Sequence, residues 1–276
     1  TGAAPPGAVC VPGGAFFMGD PRITIDSNRT GGAKEHLVVL SPFFLDEHEV
    51  TVGEMRASGV ATVNSRGRAI DPYDDSDDPI TSTCYYTSEP GPNEALAVAC
   101  VSHQLATKYC EARGGSLPTE AQFEYVASVR GTRLAPWGER EPDCDEAVVA
   151  RRLAPSFGGC DVRDPTDPTA GIPPAPPGSG TRDRVVLPAG VVVDLGANLR
   201  EWVRDTFARD DEPCWHDVFL RDPVCSVPSR TDRSTKGADL IDLPVDWVQV
   251  RRAHAAADAG FYGPSVGFRC AYPGDR

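Results

Sequence analysis

Three oxygen-bearing side chains crowd the segment Asp194-Leu-Gly-Ala-Asn198-Leu-Arg-Glu201. If it begins as loop and ends as one helical turn, Asp194, Asn198 and Glu201 converge from positions i, i+4 and i+7. Such a set is made of hard oxygen donors and suits Ca²⁺. That ion takes roughly six to eight oxygens, so a carbonyl such as that of Ala197, or water, must complete the shell. The competing reading is that Asn198 and Glu201 only cap and pair within their own segment. Other chemistry is thinly represented. The five histidines (His36, His48, His103, His216, His254) show no HxxxH spacing, no Gly-x-Ser-x-Gly marks a nucleophile elbow, and no glycine-rich phosphate loop occurs. The run Asp74, Asp75, Asp77, Asp78 lacks the alternation and glycine of an EF-hand loop and reads as a solvated acidic surface.

Nine cysteines are spread at wide spacings with no CxxC. This predicts disulfides rather than a thiolate zinc site, and hence an exported protein: secreted, periplasmic or cell-surface. A cytosolic chain with buried free thiols is the alternative. The odd count leaves one cysteine unpaired within the chain.

The whole chain has 276 residues, 27 basic against 40 acidic side chains, a net charge of −13 and a 40% hydrophobic fraction. The length suffices for a sizeable core, and the apolar fraction excludes a disordered chain. The acidic balance repels phosphate backbones, so no nucleic-acid partner is expected. No apolar run reaches the roughly 18–20 residues of a membrane span. Residues 1–9 read as a flexible leader trimmed after export. Residues 10–276 read as one domain with a Pro/Gly-rich insertion around 160–185.

The positioning elements are partly legible. Residues 10–18 suggest a glycine-broken β-hairpin, and Leu37–Leu40 and Phe43–Leu45 suggest strands. Thr51 with Glu54 forms a capping box for a short helix. Ser102 can cap a second helix, with Leu105, Ala106, Tyr109 and Cys110 on one face, which Gly114-Gly115 stops. Thr119 and Gln122 open a third, expected to end near Gly131. Residues 60–92 read as a surface loop, and 138–190 as a long irregular stretch.

Several pieces fall in the order of one family. Val11-Pro-Gly-Gly-Ala-Phe-Phe-Met-Gly19, His36 to Leu40 with Phe43-Phe44-Leu45, and Glu49-Val50-Thr51 resemble its opening blocks. Tyr109-Cys110 and Gly115-Ser-Leu-Pro-Thr-Glu-Ala-Gln-Phe-Glu-Tyr125 match its "RLPTEAEWEY" signature, and Pro136-Trp137-Gly138 its "PWG". Asp194 to Val203 resembles "GN.WEW", and Gly267-Phe268-Arg269-Cys270 matches "GFR". The chain is similar to the formylglycine-generating enzyme (sulfatase-modifying factor) family over residues 11–271.

The resemblance implies an α+β, C-type-lectin-like fold with low regular secondary structure and long loops, structural calcium, and a Cys110–Cys270 disulfide. Cys144–Cys160 and Cys214–Cys225 are then expected from their closeness in sequence, Cys84–Cys100 by elimination, and Cys10 as the odd thiol. The implied calcium ligands are Asp194, Asn198 and Glu201, with Ala197 supplying a carbonyl. The family's oxidase chemistry uses two copper-binding cysteines shortly before the closing block. Here that stretch is Lys236-Gly-Ala-Asp239-Leu-Ile241-Asp242-Leu-Pro-Val-Asp246-Trp247, without cysteine. Soft thiolates select Cu(I), so no copper and no catalytic residue are expected. The family's substrate groove falls near Trp202, Asp246, Trp247, Phe261 and Tyr262, with a buried core position as the competing reading of Trp202. The expectation is an exported, calcium-stabilised binding or scaffold module, a pseudoenzyme whose partner is a protein, peptide or glycan. The alternative is a divergent metal-dependent oxidase acting on a peptide or protein.

Overall fold

The protein is described by a computed structural model covering residues 4–23, 34–63, 69–70, 85–87, 89–152, 155–157, 159–161, 172–209, 212–241, 250–251, 254–256 and 265–274. Strand β1 (Ala8–Val11) buries Val9 and Val11, and β2 (Gly14–Met18) buries Phe16 and Met18. Both show the alternation of half-buried strands. They do not form the hairpin expected from residues 10–18. β2 pairs with β3 (His36–Leu40), whereas β1 pairs with β4 (Phe43–Asp46), which also carries β14 (Ala271–Pro273). The chain crosses from one sheet to the other at Pro12-Gly13. Proline has no N–H for a hairpin ladder, and a Cβ on Gly13 would lie 2.4 Å from the Leu40 carbonyl oxygen.

Helix α1 (Val52–Ser58) carries the expected Thr51–Glu54 capping box. Two short strands, β5 (Thr62–Val63) and β6 (Ala69–Ile70), pair within the stretch read as loop. Helix α2 (His103–Ala112) is capped by Ser102, and Gly114 takes a left-handed φ of 79° just past its end. Helix α3 (Glu120–Ala127) has the Thr119–Gln122 capping box but stops short of Gly131. Val129, Arg130 and Gly131 take φ of 51°, 61° and 77°, three successive left-handed residues that turn the chain back.

The irregular stretch ends earlier than expected, in the hairpin β7 (Arg184–Leu187) and β8 (Gly190–Val193). Strand β9 (Arg200–Thr206) is an inner strand of a four-stranded sheet. It lies between β11 (Arg233–Lys236) and β13 (Val266–Gly267), with β12 (His254–Ala256) beyond β11. Strand β10 (Phe219–Arg221) joins the β2–β3 sheet, running parallel to β3. One apolar cluster joins Phe16, Phe43, Phe123, Tyr125 and Trp137, and a second joins Met55, Tyr109, Trp202 and Phe268.

Three expected disulfides are present, with Cα–Cα distances of 5.4 Å (Cys110–Cys270), 5.5 Å (Cys144–Cys160) and 5.3 Å (Cys214–Cys225). Cys100 is also disulfide-bonded. Its expected partner Cys84 lies outside the described residues. Cys10 is free.

Candidate functional site

The segment 194–201 is built around close packing and a strand, not a helical turn. Gly196 lies against Trp137, where a Cβ would come within 2.4 Å of the indole ring. Arg200 begins β9, so Glu201 projects from a strand. The i, i+4, i+7 convergence is therefore corrected. The side chains belong to one buried network but face different partners. Asp194 and Asn198 both hold left-handed φ, 54° and 72°, a region that Asp and Asn tolerate better than most residues. Asp194 Oδ2 accepts from the Gly178 N–H at 2.5 Å. Asn198 Oδ1 accepts from Ala175 N–H at 2.8 Å, and its amide donates to Glu49 Oε2 at 2.5 Å. Ala197 is buried beside them.

Arg269 is the centre of this network. Its Nε donates to both oxygens of Glu201, at 3.0 and 2.8 Å, and Nη2 donates to Glu201 Oε1 at 2.6 Å. The same Nη2 donates to the Val193 and Asp194 carbonyls. Both ends of the ion pair are buried, which makes its partners mutually dependent. Glu49 completes the ring, accepting from Leu199 N–H at 3.0 Å. Asp183 accepts from the Leu195 and Gly196 N–H groups.

Four buried carboxylates thus share one buried guanidinium. Burial pushes the Glu49 carboxyl well up, and the Asp194 and Glu201 charges push it further against the pull of Arg269. Burial pushes Asp183 up to about 8, with Asp194 adding to it. Burial also raises Asp194 and Glu201, opposed in both by Arg269. The cluster holds four carboxyl groups against one guanidinium, and the upward shifts favour protons on those that Arg269 does not offset. Its donors are hard oxygens, which suits a divalent hard cation. Glu201, however, is already engaged bidentately by Arg269. Among the described residues, no three His, Cys, Asp or Glu side chains converge as a metal cage.

Glu49, Asp183 and Arg269 were not among the expected site residues. Glu49 and Arg269 stand inside the Glu-Val-Thr and Gly-Phe-Arg blocks, so two ionisable residues amid apolar ones were the available signal. Asp183 had none.

A second buried polar cluster borders the stretch where the family's copper cysteines would fall. Glu124 of α3 is fully buried. Its Oε2 accepts from Lys236 Nζ at 2.9 Å, and its Oε1 from Gly19 N–H at 2.6 Å. The Arg251 guanidinium lies 3.2 Å from Oε1. One carboxylate thus ties down the residues on both sides of 237–250. Beside it, burial raises Glu120 to about 8 and Asp205 to about 6. Asp239 accepts from Ile241 N–H. Asp242, Asp246, Trp247, Phe261 and Tyr262 lie outside the described residues. Trp202 is core, not groove: it is fully buried, and its indole donates to Val101 O at 2.8 Å. Three histidines hydrogen-bond backbone carbonyls: His36 that of Asp217, His48 that of Glu49 and His103 that of Val203.

Among the described residues no helix is long and apolar enough to cross a membrane. The three disulfides are compatible with an oxidising compartment.

The family description "Sulfatase-modifying factor enzyme 1-like domain" matches residues 2–273. Among solved structures, the chain is similar to PvdO from Pseudomonas aeruginosa, at 20% identity and TM-score 0.64, covering 96% of this chain and 93% of that one. It is also similar to Treponema denticola variable protein 1, at 14% identity and TM-score 0.62, covering 96% and 94%. For CarF the values are 16%, 0.56, 97% and 98%. No curated relative matches the sequence. Few helices, several small mixed sheets and ordered blocks from Val11 to Cys270 all agree: the chain belongs to the formylglycine-generating enzyme (sulfatase-modifying factor) family and has its fold.

Proposed function

We propose that this protein is an exported, calcium-stabilised binding or scaffold module in which the family's copper oxidase site has been lost. The observation that carries this reading is the absence of cysteine between Cys225 and Cys270. Cu(I) chemistry of the family's kind needs two thiolates there. Elsewhere, disulfides engage seven named cysteines, and the free Cys10 lies on β1.

The surplus of carboxyl groups at Glu49, Asp183 and Asp194 around Arg269 supports calcium, which would take the place of the protons their raised values favour, with Asp194, Ala197, Asn198 and Glu201 as its proposed ligands. A bound Ca²⁺ would supply positive charge and rigidity rather than redox chemistry. Binding only to the native state, it would stabilise the fold by mass action, about 2.7 kcal/mol at 100-fold excess over the dissociation constant. The ligand partner is proposed to be a protein, peptide or glycan, held in the groove near Asp246, Trp247, Phe261 and Tyr262.

Elemental analysis of the purified protein with melting curves in excess chelator tests this. Calcium near stoichiometry, and a Tm lowered by several degrees on chelation and restored by Ca²⁺, is the expected result. Glu201→Ala should lower Tm and remove the chelator response. Stoichiometric copper or iron would favour a metal-dependent oxidase instead. No bound metal, with a melting curve indifferent to chelator, would leave 194–201 a purely polar brace centred on Arg269.

A further inference from the structure

Outside both buried networks, a cleft of about 240 Å³ opens between the end of α3 and the β7–β8 hairpin. Its walls include Val11, Val126, Val129, Val185 and Leu187, with Val186 at 77% exposure on the hairpin side. The one formal charge among its lining residues is Arg130. That guanidinium lies over the Tyr125 ring, 5.8 Å from its centroid, and among the described residues no carboxylate pairs with it. The Tyr125 hydroxyl is spent on the Pro12 carbonyl, so Arg130 is the cleft's ionic group for a ligand.

The backbone that presents Arg130 is strained. Val129 is β-branched yet has a φ of 51°, and Arg130 follows at 61°. Left-handed conformation at a β-branched residue is a true outlier, and such outliers gather at functional sites. Here the turn is fixed by Ser128, whose Oγ donates to Glu124 O and accepts from Gly131 N–H. From this turn Arg130 lines the cleft.

We propose that this cleft is a binding site for a small apolar monocarboxylate, such as an aryl or branched aliphatic acid. The valine-lined wall would take its body and Arg130 its carboxylate. The volume admits roughly one ring or branched chain. A guanidinium is the donor best shaped for a carboxylate, through two parallel hydrogen bonds. The inference does not depend on calcium or on the 237–250 stretch.

Phenylacetate titrated against methyl-labelled protein is the direct test. Saturable shifts at the Val129, Val185 and Val186 methyls are expected, with much weaker shifts from phenylacetamide and from acetate. Arg130→Asn should weaken phenylacetate binding about tenfold, the loss expected for one charge-assisted contact. The same variant should keep or raise Tm, because Asn accepts the left-handed conformation better than Arg. Weaker binding with unimpaired folding separates recognition from a structural role. Equal binding of acid and amide, no saturable shift, or unchanged affinity in Arg130→Asn would overturn the proposal. Tighter binding of a short peptide with a free C-terminal phenylalanine than of phenylacetate would overturn the assignment to a free acid.

Discussion

Replacing Glu124 with Gln is the sharpest test of how the fold holds the chain on either side of 237–250. The substitution keeps volume and an oxygen for the Gly19 N–H, so it opens no cavity. It removes the charge facing Lys236 and Arg251, whose side chains are 0% and 3% exposed. Two buried cations then lose their shared counter-ion. Breaking a buried pair from one side costs about 3–5 kcal/mol, because an uncompensated charge stays desolvated. At roughly 2–4 °C per kcal/mol, Tm should fall by about 6–20 °C, nearer the lower figure for a chain this long. The contrast is Glu139→Gln. Its partner Arg22 and Glu139 itself are 62% and 49% exposed, and such surface pairs contribute under about 1 kcal/mol. Differential scanning fluorimetry of both variants is the assay. Adding Lys236→Met to Glu124→Gln should recover part of the loss, since one stranded charge is gone. A Glu124→Gln midpoint within about 2 °C of wild type would refute the argument. Lys236 and Arg251 would then be drawing compensation from Glu120 and Asp205 or from water.

Glu120 and Asp205 carry a pH prediction. Burial raises their folded-state values to about 8 and about 6, above the unfolded 4.5 and 3.8. The folded protein therefore holds protons that the unfolded chain releases, so stability falls as pH rises from about 5 to about 8. Tm measured across that range should decline, and Glu120→Gln should flatten the slope; a wild-type curve rising with pH would contradict this. The Cys110–Cys270 bond closes a separation of 160 residues. Removing it as Cys110→Ala/Cys270→Ala should cost up to about 4–5 kcal/mol in the chain-entropy account, often less. An unchanged unfolding midpoint in denaturant would show that the unfolded chain is held compact by other means.

How much of this was legible in the sequence depended on the range over which each feature is decided. The three N-caps were readable because Thr51, Ser102 and Thr119 act on backbone N–H groups three residues away. Cys144–Cys160 and Cys214–Cys225 lie 16 and 11 residues apart, near enough for proximity to identify the partner. Strand partnership is another matter. Residues 8–18 alternate as strands should, yet nothing local says that Val9 faces Leu45 while Phe17 faces Leu37. β9 was misread for a related reason. Being an inner strand, it buries Glu201, Trp202 and Val203 in succession and so loses the period of two by which strands are recognised.

The candidate site repeats that lesson in charge. Read along the chain, Asp194, Asn198 and Glu201 are three oxygen-bearing side chains in want of a cation, and the segment 194–201 itself holds only Arg200. In the fold, the cation comes from Arg269, 68 residues beyond Glu201. Two more acids arrive from Glu49 and Asp183. A buried acidic cluster whose arginine comes from the distant link between β13 and β14 cannot be balanced by local reading, because neither the number of acids nor the number of cations is local. Arg269 answers part of the demand that the 194–201 segment makes for positive charge. What remains is the demand of the acids that the sequence did not reveal, and the melting curves with chelator and with Ca²⁺ restored measure whether an ion or protons offset it.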